Sequence, residues 1–286
     1  NMADNDTGRQ SVEIDTFIER EREYFAPMQN RTRRFDEQQR IQWRKETVSE
    51  RQKRVSLEVY DDLGGTVRYG PFAGMQLSRT TWWGGSDLGA QCLGLYEPEI
   101  SEALVSLSEA GSGTFIDIGA ADGFYTTGML FSGLARRAIC YELSDFGRAA
   151  IKENWRNNGA PGELEICGEA TESSIGSLNP GDLTNSLVLV DIEGAEFCVF
   201  TDPVFAALKT SSILLEVHNW VSDFDNLYAD LLRRANEHFH IDVIPRREAG
   251  TLHLPELRDF TDDNRLLLQS ERRPCVMRFL KFTPRG

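Results

Sequence analysis

Carboxylates, glycines and alanines follow one another closely between Phe115 and Tyr125. An apolar run leads to Asp117, and Gly119, Ala121 and Gly123 then stand at every second position. In α/β folds, a buried strand that ends in a tight glycine turn and enters a helix brings the backbone close to a cofactor. Small residues there leave room for backbone N–H groups to face the ligand. The segment therefore predicts a cofactor-binding turn.

Two cofactors compete for this turn. A dinucleotide requires the spacing Gly-x-Gly-x-x-Gly, because its pyrophosphate sits on the helix N-terminus. Here Asp117 leads the turn, and Asp122 lies inside it after Ala120 and Ala121. Two carboxylates would repel a pyrophosphate, but they suit the positively charged amino and sulfonium groups of S-adenosylmethionine (SAM). The turn favours SAM over NAD.

Three further acids stand where a bound SAM molecule would need partners. Glu142 ends the second predicted strand, at the position where an acid can accept from both ribose hydroxyls. Glu169 follows the third predicted strand, as an acceptor for the adenine amino group or equally as a surface acid. Asp117 is predicted to orient the backbone around the methionine end. Like Asp117, Glu97 is a candidate to hold the amino group of the methionine end. An ordinary acid at a helix start explains Glu97 equally well.

A second set of chemical groups follows the next two strands of the predicted sheet. Asp191, Glu193 and Glu196 come after one strand, and Glu216 and His218 end the next. Asp191, Glu193, Glu216 and His218 are the candidates for catalysis, and Asp191 is also a candidate for cofactor binding. Adjacent strands lie about 4.8 Å apart, so these groups can meet in one cleft. His218 is the natural base because of its accessible pKa, with a packed structural histidine as the alternative. Asp191 and Glu193 can instead ligate Mg²⁺, and Glu196 can simply cap the following helix.

The elements that position these residues alternate between strand and helix. Short apolar runs predict strands at residues 114–118, 138–142, 164–167, 187–192 and 213–217. Helical patterns cover 124–134, 145–157, 195–207 and 223–239, and two final strands cover 240–244 and 275–282. This order predicts a Rossmann-like, doubly wound, mostly parallel α/β sheet with its ligand at the carboxyl ends of the strands.

We predict three regions along the chain. Residues 1–54 form a charged helical arm, either a surface element or one that caps the substrate or joins two copies into a homo-oligomer. Residues 55–112 contain a β-hairpin over 57–70, glycine-rich aromatic loops and a helix from 100 to 107. Residues 113–286 form the cofactor-binding domain. Trp82, Trp83 and Trp220 are either an aromatic wall for the substrate or core residues.

Composition narrows the classes of partner. The chain has 286 residues and a formal net charge of −14, and residues 1–55 hold only 12 Lys+Arg and 11 Asp+Glu of the totals. An acidic body of this kind argues against nucleic acid as a substrate. No apolar run approaches the roughly 20 residues of a membrane span, and no secretory signal is visible, which predicts a cytoplasmic protein. The five scattered cysteines and four histidines argue against a Cys/His zinc cluster.

The chain resembles the FkbM-type SAM-dependent methyltransferases over roughly residues 65 to 282. The resemblance rests on the motif Asp191-Ile-Glu193-Gly-Ala-Glu196, the glycine turn, the strand that ends in Glu216 and His218, and residues 93–97 upstream. It implies methyl transfer to an oxygen, commonly a hydroxyl of a sugar or another natural product, and hence a small-molecule acceptor. Ala121 and Asp122 stand where many members of that family carry other residues.

Two other functions remain open. One is a non-catalytic subunit with a SAM fold that binds a partner through the arm and the aromatic loops. The acids at 117, 142 and 191 and His218 argue against it, because a decayed site would lose such residues freely. The other is an NAD-dependent oxidoreductase, which the acid-led turn disfavours.

Overall fold

The computed structural model describes residues 5–26, 41, 44–109 and 113–286. The chain divides into two compact units, the first made of Asn1–Gln52 and Gly250–Leu267 and the second of Lys53–Ala249 and Leu268–Gly286. In the first unit, helix α1 (Asn5–Phe25) falls in the predicted arm. The predicted arm also covers residues 1–4, 27–40 and 42–43, which lie outside the described residues. Its role in capping or oligomerisation stays a prediction.

The second unit carries the sheet. The remaining elements of both units follow in chain order. The helices are α2 (Val48–Asp62), α3 (Leu88–Cys92), α4 (Pro98–Glu109), α5 (Phe124–Phe131), α6 (Asp145–Asn157), α7 (Glu172–Gly176), α8 (Glu196–Val199), α9 (Asp202–Ala207), α10 (Phe224–Asn236) and α11 (Asp262–Gln269). The strands are β1 (Thr114–Ile118), β2 (Arg137–Tyr141), β3 (Glu163–Cys167), β4 (Leu187–Val190), β5 (Ser212–Val217), β6 (Phe239–Ile244) and β7 (Arg278–Pro284). A 3₁₀ turn covers Pro255–Leu257.

The sheet has seven strands in the order β3-β2-β1-β4-β5-β7-β6. Strands β1 to β5 are parallel, and β7 runs antiparallel between β5 and β6. This confirms the predicted fold class, a Rossmann-like, doubly wound, mostly parallel α/β sheet. The strand order reverses between β1 and β4, and open α/β sheets bind their ligands at this switch point.

The apolar strands are buried on both faces. Ile116, Val188 and Leu215 belong to one core cluster, whereas Phe115 and Leu189 belong to the other. Successive residues of a strand point to opposite faces, so a strand covered on both sides needs an uninterrupted apolar run. That is why the sequence located β1, β2, β4 and β5 to within about two residues.

Two local predictions were wrong. Residues 57–62, the first half of the predicted hairpin, belong to α2, because Val55 and Val59 are both buried at helical spacing. The remaining pairing is a single bridge between Thr66 and Gln76. The helix predicted over 195–207 is two short helices, because α9 begins anew at Asp202 with a proline in its first turn.

Among the described residues, no helix combines the length and the apolar character that a bilayer crossing requires.

Candidate functional site

A cleft of about 630 Å³ opens at the carboxyl ends of β1, β2, β3 and β4. Nine of the ten residues predicted to bind the cofactor line it, namely Glu97, Asp117, Gly119, Ala120, Ala121, Asp122, Glu142, Glu169 and Asp191. The tenth, Gly123, instead begins α5 with a positive φ of 79°. The cleft has the size typical of small-molecule sites.

The glycine turn is fixed to the end of β2. The N–H groups of Gly119 and Ala120 both donate to the carbonyl of Tyr141 at 3.0 Å, and Ala121 N donates to Glu142 Oε2 at 2.9 Å. Gly119 has a φ of 94°, and a Cβ added there would overlap the carbonyl oxygen of Asp191. Only glycine therefore lets β1 and β4 approach this closely at the switch point.

Three non-glycine residues in the left-handed region also line the cleft. They are Glu97, Ala121 and Glu193, with φ of 42°, 48° and 53°. Such conformations cost roughly 1–3 kcal/mol each and cluster at functional sites. The strained residues lie before α4, in the glycine turn and after β4, so three separate segments converge on one cleft.

Asp117 and Glu97 are buried carboxyl groups beside the cleft. Asp117 is 3% exposed, its Oδ2 accepts from the Thr126 hydroxyl at 2.6 Å, and burial raises its pKa to about 7. Glu97 accepts from the Tyr125 hydroxyl at 2.6 Å and from Arg273 at 2.6 Å. Burial and the charge of Glu271 raise the pKa of Glu97 to about 8, against the opposing effect of Arg273. Both groups would bind a cation most strongly once they are ionised.

Glu142 and Asp122 organise the walls of the cleft. The carboxylate of Glu142 accepts from Ala121 N and, through Oε1, from Ser144 N at 2.8 Å, so it joins the glycine turn to the start of α6. Asp122 accepts from the backbone N–H groups of Trp82 at 2.5 Å and Trp83 at 3.1 Å. Asp122 thus holds the aromatic loop over the cleft.

A carboxylate cluster surrounds His218 at the ends of β4 and β5. The Nε2 atom of His218 lies 3.3 Å from Asp191 Oδ1, 3.8 Å from Glu193 Oε2 and 3.6 Å from Glu216 Oε2. Burial lowers the pKa of His218, but its interactions with the carboxylates of Asp191 and Glu196 outweigh burial and raise the pKa to about 9. The structure therefore brings together the four residues predicted for catalysis. Because its pKa is raised to about 9, His218 is protonated near neutral pH, and an imidazolium does not act as a base.

Of the two roles that the sequence left open for Glu196, the structure shows the one beside His218. Glu196 is 0% exposed; its Oε1 lies 3.0 Å from His218 Nδ1 and accepts from His218 N, and its Oε2 accepts from Gly194 N at 2.9 Å. A helix-capping acid would lie at the surface. Glu196 instead fixes the orientation of the imidazole ring.

A second cleft of about 310 Å³ shares Trp83, Tyr96, Glu97, Asp191 and Glu193 with the first. Its other lining residues include the remaining members of the cluster and the segment before β7, namely Glu216, His218, Trp220, Glu271, Arg272 and Arg273. The two clefts thus meet at the carboxylates that follow β4. Of the three tryptophans, Trp82 lines the first cleft, Trp83 both and Trp220 the second, and all three are partly exposed rather than core residues.

Arg273 joins three of the acids around the second cleft. It forms ion pairs with Glu97 and Glu271, each at 2.6 Å, and with Glu216. The neighbouring Arg272 pairs with Asp87 at 2.8 Å. Both arginines lie in the polar connection before the last strand, where the sequence leaves open whether they line the cleft or form a surface network, and the structure places them at the second cleft.

A scan of family models found none that matches this chain, and a search of curated proteins found no match either. Solved structures do resemble it. Cofactor-bound Rv0187 from MTB has 13% identity and a TM-score of 0.46, over 64% of this chain and 78% of that one. SAH-bound methyltransferase PaMTH1 of Podospora anserina has 12% identity and a TM-score of 0.42, over 81% and 88%. An rRNA methylase from Streptococcus thermophilus has 8% identity and a TM-score of 0.42, over 65% and 96%.

Proposed function

We propose that this chain transfers a methyl group from SAM to an oxygen of a small molecule. The observation that carries the proposal is the pair of adjoining clefts, which share the carboxylates Asp191 and Glu193 at the switch point of the sheet. One cleft offers acids to a cationic cofactor, and the other offers aromatic and acidic side chains to an acceptor. The FkbM resemblance supports the oxygen acceptor, a hydroxyl of a sugar or another natural product.

The first cleft suits SAM from end to end. Glu142, beside the glycine turn, is the acceptor for the ribose hydroxyls, and Glu169, after β3, lies toward the adenine. Asp117 and Glu97 lie toward the methionine end, where the amino group and the sulfonium carry positive charge. The methyl group would then face Asp191 and Glu193, which border the second cleft.

The transfer itself is a displacement at carbon. The acceptor oxygen forms a bond to the methyl carbon while the carbon–sulfur bond breaks, and the sulfonium becomes the neutral thioether of S-adenosylhomocysteine. The hydroxyl proton passes to the cluster of Asp191, Glu193, Glu216 and His218. Burial and the neighbouring Asp191 raise the pKa of the half-exposed Glu193, which makes it a better proton acceptor than the imidazolium. Holding the two substrates in line supplies much of the acceleration.

Glu142→Gln is expected to weaken SAM binding by roughly 10- to 100-fold. The amide keeps the shape of the side chain, but it removes the charge and one of the two acceptor oxygens that Ala121 N and Ser144 N require. Isothermal titration with SAM measures the change. Asp145→Asn is the matched control, since that carboxylate starts the same helix and its side chain is 90% exposed. Equal affinity in both variants would remove Glu142 from the cofactor site.

SAM affinity is expected to rise with pH through about 7. Below its raised pKa, Asp117 is neutral and must lose a proton to pair with the cofactor's amino group. Affinity therefore falls by up to about tenfold for each pH unit below that pKa, and the ionisation of Glu97, with its pKa of about 8, extends the rise before affinity levels off. Titrations at several pH values measure the rise, which should be shallower in Asp117→Asn. The same pH profile in wild type and variant would contradict the pairing.

Several further assignments belong to this proposal. Mg²⁺ remains a proposal for the Asp191 and Glu193 carboxylates, as do a cytoplasmic location, an acceptor other than nucleic acid, and a homo-oligomer through the arm. A non-catalytic subunit would bind SAM without turnover, and an NAD-dependent oxidoreductase would show a change in NADH absorbance.

A further inference from the structure

We infer that Asp191, Glu193 and His218 form a binding site for a divalent transition-metal ion where the two clefts meet. The existence of the site is independent of methyl transfer. The role given to the ion below rests on the proposed function.

The geometry of the three residues fits a metal. One ligand atom from each lies within 4.8 Å of the other two. Nε2 of His218 is 3.3 Å from Asp191 Oδ1 and 3.8 Å from Glu193 Oε2. Bonds of about 2.1 Å to a shared ion place neighbouring ligand atoms about 3.0 Å apart in an octahedron and about 3.4 Å apart in a tetrahedron. Small side-chain rotations would close the site.

The imidazole ring is already oriented as metal-binding histidines are. Glu196 lies 3.0 Å from Nδ1 and is itself held by two backbone N–H groups, so the Nδ1 proton points to Glu196. In the neutral ring the lone pair is then on Nε2, directed at the two carboxylates. A carboxylate behind the histidine is the usual outer partner in metal sites, where it fixes the tautomer and raises ligand basicity. His218 is 1% exposed, so this orientation is built into the core.

An unsatisfied oxygen points to the same place. Asp191 Oδ1 is buried, and among the described residues its contact with His218 Nε2 at 3.3 Å does not complete a hydrogen bond. A buried acceptor without a partner is costly, and such groups in folded proteins call for an explanation, an ion among them. An ion between Asp191 and His218 would satisfy this oxygen.

Charge around the second cleft also favours a cation. Among the described residues that line it, six are Asp or Glu and two are Arg. The arginines pair with Asp87, Glu97, Glu216 and Glu271, and in the described part of the chain only His218 lies within ion-pair distance of Asp191 and Glu193. Carboxylates in such excess bind either protons or a cation.

The donor set selects the kind of ion. One imidazole nitrogen and two carboxylates suit Mn²⁺, Fe²⁺, Co²⁺ or Zn²⁺, whereas Mg²⁺ prefers oxygen donors alone. Three protein ligands leave coordination positions open. Since Asp191 and Glu193 border both clefts, those positions face the acceptor beside the methyl group, and the ion would position the acceptor's hydroxyl oxygens. With the ion bound, Glu193 would act as its ligand rather than as the proton acceptor, and the hydroxyl proton would pass to water.

Direct metal binding tests the site without SAM or an acceptor. Protein stripped of metal by a chelator is titrated with Mn²⁺, Zn²⁺ and Mg²⁺ in a calorimeter, and with Co²⁺ while the visible absorption is followed. We expect one equivalent of Mn²⁺ or Zn²⁺ to bind with micromolar affinity, Mg²⁺ to bind more weakly, and Co²⁺ to give an absorption band. Asp191→Asn should lower the affinity for Zn²⁺ by about 100-fold, whereas the exposed His240→Asn should not change it.

Two further variants control for misfolding and for the place of the ion. Glu193 is half exposed, so Glu193→Gln should fold normally and still bind Zn²⁺ more weakly. The ring of Trp220 lies 4.8 Å from that of His218, so Co²⁺ should quench its fluorescence, and Trp220→Phe should reduce the quenching. Wild-type protein that binds neither Mn²⁺ nor Zn²⁺ at about millimolar concentration, or ligand variants with unchanged affinity, would overturn the inference.

Metal and cofactor binding are measured separately, so their failures can be told apart. SAM binding without metal binding overturns the metal site and leaves the proposed function standing. Metal binding without SAM binding overturns the proposed function and leaves the metal site standing.

Discussion

Replacing Gly119 with alanine is expected to abolish SAM binding and to destabilise the fold. The added Cβ would overlap the carbonyl oxygen of Asp191 and lie 2.9 Å from Ile192 Cγ2. Both neighbours belong to the segment that follows β4, so the two strands must separate at the switch point. We expect SAM affinity to fall by more than about 100-fold and the free energy of unfolding by about 3 kcal/mol or more.

Gly133→Ala separates the clash from the strain of the backbone. Gly133 has a φ of 73°, yet a Cβ there meets nothing within 4 Å. This control should lose only about 1 kcal/mol, with SAM binding intact. Urea unfolding and SAM titration of both variants measure the difference. If the two alanine variants behave alike, close approach at Gly119 does not shape the cofactor site.

His218→Asn is expected to lower methyl transfer by roughly 10²- to 10⁴-fold while SAM affinity stays within about twofold of wild type. His218 contacts the carboxylates that face the acceptor but does not line the cofactor cleft. Its loss therefore disturbs the acceptor side alone. The measurement is transfer of labelled methyl groups from SAM to a panel of hydroxylated small molecules, with His240→Asn as the control.

The same change leaves the buried Glu196 without the imidazole, so the variant can also be less stable. Glu193→Gln separates loss of catalysis from loss of stability. Glu193 is half exposed, so its replacement should leave the fold intact and still lower methyl transfer. Full transfer activity in a folded His218→Asn protein would contradict a catalytic role for the cluster. Loss of SAM binding in that protein would instead place His218 in the cofactor site.

The sequence predicted the sheet well because its signals are local. An apolar run marks a strand that is buried on both faces. A serine marks the start of α6, because the Ser144 side chain accepts from Phe146 N and Gly147 N, and the bounds of this helix were predicted to the residue. The hairpin prediction failed where local turn residues competed with a longer pattern. Leu63-Gly64-Gly65 does make a turn, but the segment before it packs Val55 and Val59 as one face of a helix.

The site was predictable only where the fold itself brings residues together. Asp191 and His218 follow adjacent parallel strands, so their meeting follows from strand order. Arg273 reaches Glu97 across 176 residues of sequence, and no spacing rule anticipates that ion pair. For Glu196 the sequence left a place in the cluster and a helix cap both open, because its position in the chain does not reveal its burial.

Isothermal titration of the purified protein with SAM and, separately, with NAD tests the central claim most directly. The proposed function predicts micromolar SAM binding at one site per chain and no NAD binding. NAD binding, or no SAM binding by protein that unfolds cooperatively, would contradict it.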